Sequence, residues 1–145
     1  MCGVELKNEI GFSGVKRRFE VRENIIHDYA HHPTEIFATI KTAKEHFKKD
    51  VIAIFEPHTY TRTAALDFTK CFKGAKKVIL TPIYAAREEP IEGITSENLA
   101  KKIKGGVYAS DYSEAKKLTE GFGGIILILG AGDIVKLFEN WKFML

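Results

Sequence analysis

The chain has 145 residues, 45% of them hydrophobic and 28% charged, and a net charge of +3. That length suits one domain with a substantial core and leaves no room for a second full domain. The ordinary composition excludes a disordered low-complexity block. Lysines and arginines scattered along the sequence, with no basic stripe, argue against a nucleic-acid partner but would suit a small anion.

Two cysteines, Cys2 and Cys71, make neither a disulfide framework nor a CxxC metal knuckle. The first residues lack the apolar core of a signal peptide, and no stretch approaches the ~18 apolar residues that span a bilayer. These features predict a soluble protein of the reducing cytoplasm, without a membrane partner.

In chain order, residues 1–14 read as a leader or the remnant of an inter-domain junction, and residues 15–145 as the domain proper. Val15–Arg22 and Ile25–Tyr29 are short extended runs separated by Glu23-Asn24, which predicts a hairpin. From Pro33, tolerated in a first helical turn because its missing N–H would have no partner there, Ile36, Ile40, Ala43 and Phe47 recur at helical spacing. They predict an amphipathic helix of about four turns.

Strand and helix patterns then alternate. Strands are expected at 51–55, 78–81, 107–109 and 125–129, and helices at about 61–72, 96–103, 113–119 and 134–141. The runs VIAIF and IILIL are unbroken and apolar, as in parallel strands covered on both faces. The predicted fold is α/β: a doubly wound, Rossmann-like, three-layer domain whose mostly parallel sheet carries an antiparallel edge hairpin.

Polar clusters follow the predicted strands, where open α/β sheets bind ligands. The first is Asp28, Tyr29, His31 and His32. Asp28 beside His31 is a weak signal for acid–base work, because a carboxylate raises a neighbouring imidazole's pKa. The second, Glu56 to Thr63, contains His58 and Arg62, whose guanidinium is able to grip a carboxylate or phosphate with two hydrogen bonds. The third is the long loop Tyr84 to Ser96, of a length typical of lids and binding loops. The fourth is Gly130-Ala131-Gly132-Asp133, a candidate anion turn at Gly130 and Gly132, with Asp133 as an alternative helix cap. It is not a dinucleotide fingerprint, because Val135 stands where the third glycine belongs. The histidine spacing does not make a zinc site, and no nucleophile elbow occurs.

The segments FSGVKRRFE (12–20), HDYAHHPTEI (27–36), FEPHTYTRT (55–63), PIYAAREEPIEGITS (82–96) and LGAGDI (129–134), in this order, resemble the C-terminal domain of the Mur ligases. The YAAREEPIEG loop and GAGDI look most like the branch that joins L-alanine to UDP-N-acetylmuramate. The tripeptide-adding branch shares the GVKRR and AHHPT elements. The resemblance implies a cytoplasmic, ATP- and Mg-dependent ligase of peptidoglycan synthesis, in which this domain holds the incoming amino acid and closes on a central ATPase domain.

Carried over by position, it puts Tyr29, His31, His58 and Arg62 around the alanine, and Arg18 and Asp28 by the nucleotide. Two positions depart from the family pattern: Thr59 stands where an arginine is usual, and His27 where a second aspartate is usual. No GxxxxGK[ST] phosphate loop occurs in the chain. The resemblance therefore implies that ATP and Mg bind mainly on missing N-terminal and central domains, and that the chain alone is inactive. The alternative from another class is a free-standing module that binds a small anion or nucleotide at the Gly130 turn.

Overall fold

A computed structural model describes residues 18–143. The reading of residues 1–14, the start of the first strand and Cys2 lie outside the described residues. Six strands form one sheet: β1 (Glu20–Arg22), β2 (Ile25–Asp28), β3 (Val51–Phe55), β4 (Lys77–Leu80), β5 (Gly106–Tyr108) and β6 (Ile125–Leu129). Their spatial order is β1-β2-β6-β3-β4-β5. Only the β1–β2 hairpin is antiparallel, and the other four pairings are parallel.

Among the described residues four helices connect strands, α1 (Pro33–Phe47), α2 (Tyr60–Ala65), α3 (Ser96–Lys101) and α4 (Tyr112–Lys117), and α5 (Val135–Glu139) follows β6, with a 3₁₀ turn at Trp141–Phe143 after it. None among the described residues is long and apolar enough to cross a membrane. The sheet's two faces carry separate cores. Ile36, Ile40 and Ala43 of α1, together with Phe68, Phe72 and Ala100, cover Ile26, Ala53, Phe55 and Leu127. Ala115 of α4 and Ile134, Leu137 and Phe138 cover Ile25, Ile52, Ile54 and Ile128 on the other face. Each fully buried aliphatic side chain contributes roughly 1.5–3 kcal/mol, so β3 and β6, buried at all five positions, anchor both cores.

The start of α1 follows the sequence. His32 accepts the Thr34 N–H, and Glu35 reaches back to the His32 N–H, closing a capping box around Pro33. Four expected helices are shorter than their patterns. The clearest correction is the helix expected to about Phe72, which ends at Ala65. Asp67 Oδ1 accepts from both the Thr69 N–H (2.9 Å) and the Thr69 hydroxyl (2.6 Å), a local turn that competes with helical hydrogen bonds. The segment still delivers Phe68, Cys71 and Phe72 to the core. Burial pushes the Cys71 thiol up to about 12, leaving it inert at neutral pH.

Register explains where a site can form. Asp28 pairs with Leu129, Leu129 with Phe55, Phe55 with Leu80, and Leu80 with Tyr108, so five strands end in one row. The helices after β2 and β6 cover opposite faces, as do those after β4 and β5. Crevices open where neighbouring connections part in this way.

Candidate functional site

Side chains from the loops after β2, β3 and β4 meet along that row. The Arg18 guanidinium lies 5.7 Å from the centre of the Tyr29 ring. Tyr29 meets His31 edge-on at 5.5 Å, His31 meets His58 at 5.7 Å, and His58 stacks on Tyr84 at 5.3 Å. Four aromatic rings thus form a continuous wall. Tyr29, His31, His58 and Arg62 are all partly exposed along it, open to a ligand.

The wall is held by backbone. The Thr59 N–H donates to the Tyr84 carbonyl and the Tyr84 N–H to the Pro57 carbonyl, both at 2.8 Å, so the long loop after β4 is fastened beside His58. Glu88 of the same loop accepts from the Thr61 N–H (2.9 Å) and the Thr61 hydroxyl (2.5 Å) at the start of α2. Thr59 itself sits at φ +65°, an unusual conformation for a β-branched residue, and its hydroxyl accepts the Arg62 N–H. This places Arg62 in the first turn of α2, beside His58. Burial lowers the pKa of His58, and the charges of His31 and Arg62 lower it further, which favours a neutral imidazole.

Asp28 is 6% exposed. Its carboxylate accepts from the Phe19 N–H (2.9 Å) and the Ala30 N–H (2.8 Å), while burial raises its pKa against those bonds. It fixes the backbone on which Arg18 and Tyr29 stand. The carboxylate nearest His31 is Glu35, at 3.8 Å. The acid–base partner offered by the sequence, Asp28, is thus spent on backbone. His27 is fully buried and stacks on Phe138.

The Gly130–Asp133 turn differs from the anion turn expected there. The Ile134 N–H donates to Glu56 Oε1 at 3.2 Å, so a carboxylate of the chain itself engages the turn. A Cβ at Gly132 would lie 2.6 Å from Tyr84 Cγ and 2.7 Å from Glu56 Oε1; glycine is there for close packing. Asp133 makes no side-chain cap and pairs with Lys136 at 3.7 Å.

Glu56, 4% exposed, is the residue that reading the sequence missed. Its other oxygen accepts the Tyr112 hydroxyl, and burial raises its pKa. A carboxylate placed immediately after five buried strand residues was the available signal. Among the described residues, no group of three or more His, Cys, Asp or Glu could hold a metal ion.

Residues 17–138 match the family profile described as "Mur ligase, glutamate ligase domain". A UDP-N-acetylmuramate–L-alanine ligase of Sulfurihydrogenibium sp. is 42% identical over 143 residues, covering 89% of this chain and 32% of the relative. Its counterpart in Caldanaerobacter subterraneus is also 42% identical, over 90% of this chain and 31% of the relative. The chain thus spans about a third of the length of these relatives. The crystal structure of the UDP-N-acetylmuramate-alanine ligase of Thermotoga maritima superposes with a TM-score of 0.63 at 26% identity, covering 87% of this chain and 30% of that one. A murein peptide ligase of Psychrobacter arcticus shares the fold, with a TM-score of 0.68 at 22% identity over 90% of this chain and 30% of that one.

Proposed function

Because the chain belongs to the Mur ligase family, as its glutamate ligase domain, we propose that it is the amino-acid-binding and closing part of an ATP-dependent ligase joining L-alanine to UDP-N-acetylmuramate in peptidoglycan synthesis. The observation that carries the reading is the wall of Tyr29, His31, His58 and Tyr84, with Arg62 beside it, at the carboxyl ends of the strands.

Arg62 offers two parallel N–H donors to the alanine carboxylate. His58, kept largely neutral, presents a polar ring to the amino acid without adding a second fixed positive charge. ATP, when bound, supplies the phosphoryl group that activates the muramate carboxylate, and positioning of the amine against that carboxylate is this domain's contribution.

On the nucleotide side, Arg18 is the exposed cation, and Asp28 orders the strand end beneath it. ATP and Mg²⁺ bind chiefly on the other domains of the cytoplasmic enzyme, and the chain alone is inactive. The test is reconstitution: phosphate release dependent on UDP-N-acetylmuramate and L-alanine, assayed on this chain mixed with the N-terminal and central portion of the same ligase. Activity in the mixture and in neither part supports the reading. A well-folded mixture that stays inactive, with a rejoined single chain inactive as well, overturns it.

A further inference from the structure

The lysines that look scattered along the sequence converge at the end of the sheet opposite the aromatic wall. Lys44 and Lys48 from the end of α1, Lys49 beside them, and Lys76 ahead of β4 line a cavity of about 700 Å³ with Phe122, Gly123 and Gly124. Lys76 also lines an adjoining cavity of about 560 Å³, to which Lys70, Lys73 and Lys104 contribute. Among the residues lining the two cavities seven are lysines and one, Asp50, is a carboxylate, which pairs with Lys76 at 3.5 Å. A chain whose whole net charge is +3 gathers more than that at this one end.

Lysines in the last turn of a helix are expected to complement its dipole, which accounts for Lys44. It does not account for Lys49, Lys76, Lys70, Lys73 and Lys104, which come from three connections, those leading into β3, β4 and β5. Such a concentration of like charge repels itself and is relieved by a bound anion.

The backbone adds a second feature. Gly124 is closely packed, since a Cβ there would lie 2.3 Å from the Asp50 carbonyl, whereas a Cβ at Gly123 would meet nothing within 4 Å. Among the described residues the Gly123 and Gly124 N–H groups donate to no protein acceptor, so two amides border the lysine-lined cavity. The cavity is an open groove whose lysines and Asp50 are exposed. Its cations are all lysines, compact charges suited to phosphate oxygens, without the arginine forks that read bases.

We propose that this cavity binds a small polyanion bearing two or more linked phosphates, at a site separate from the aromatic wall. The probe is inorganic tripolyphosphate, titrated calorimetrically into the whole chain at low and at physiological salt. One-to-one binding is expected, weakened on the order of tenfold by the double variant Lys48→Gln/Lys76→Gln and by the higher salt. The exposed control pair Lys101→Gln/Lys117→Gln should leave it within about twofold, and thermal unfolding of each variant checks the fold.

Absence of binding, or equal weakening by the control pair, overturns the proposal. Vesicles containing phosphatidylglycerol form the second arm. Binding to vesicles without binding to tripolyphosphate would make the lysine cluster a lipid-facing surface and would also overturn the small-ligand site.

Discussion

The hydroxyl of Tyr112 donates to Glu56 Oε2, joining the start of α4 to the end of β3 across 56 residues of chain. Glu56 Oε1 meanwhile accepts from Ile134, so one buried carboxylate ties together the connections after β3, β5 and β6. Removing the hydroxyl in Tyr112→Phe leaves a buried carboxylate oxygen without this donor. A loss of about 1–3 kcal/mol in unfolding free energy is expected by urea denaturation.

Glu56 also makes stability depend on pH. Burial raises its folded-state pKa above the ordinary 4.5, so its protonated form is favoured by folding. The associated stability is fully present below 4.5 and is lost as pH rises through the folded value. In Glu56→Gln the amide replaces the ionisable group, and Tyr112 turns to accept from it. The variant should therefore gain stability relative to the parent as pH rises from about 4.5 to 7.5, read by urea denaturation across that range. A constant difference at all pH values would show that Glu56 does not titrate in this window.

His58 should titrate below 6.5 in the folded chain, through burial first and then the nearby charges of His31 and Arg62. Its contribution to stability is present above 6.5 and is lost as pH falls through the lowered value. Following the imidazole Cε1 proton by NMR checks both the direction and its cause. Arg62→Gln should move the midpoint upward, though not fully to 6.5, because burial is the largest influence.

Gly132 is held to glycine by contact. A methyl group there meets the Tyr84 ring and the Glu56 carboxylate. Gly132→Ala is expected to cost about 1–3 kcal/mol and to push Tyr84 off His58. Loss of the ring-current shift on the His58 protons would report that displacement.

Much of the fold was legible because burial leaves a mark on adjacent residues. The unbroken runs 51–55 and 125–129 are strands at those same boundaries, and Pro33 marks the start of α1. The helix expected to reach Phe72 failed because apolar spacing at Phe68, Cys71 and Phe72 reports burial without specifying the backbone, and the Asp67–Thr69 turn decides the backbone.

Tyr29, His31, His58 and Arg62 stand out in the sequence as polar residues of the segments that follow β2 and β3, and these segments lie along one edge of the sheet. The wall that joins them was not legible there. Tyr84 reaches His58 through a loop whose anchoring bonds come from backbone groups, and Glu56 meets a tyrosine that no local pattern connects to it. The lysine cluster was hidden for the same reason: the fold brings together residues from 44 to 104 that are unremarkable in sequence.

The most direct test of the amino-acid wall is the substrate dependence of Arg62→Ala and Arg18→Ala, each in this chain reconstituted or rejoined with the remaining ligase domains. Loss of a charge-assisted carboxylate contact should raise the KM for L-alanine about tenfold or more in Arg62→Ala while leaving the KM for ATP nearly unchanged. Arg18→Ala should do the reverse. An unchanged alanine KM in Arg62→Ala, or equal effects of both variants on both substrates, would contradict the assignment of this edge of the sheet to the incoming amino acid.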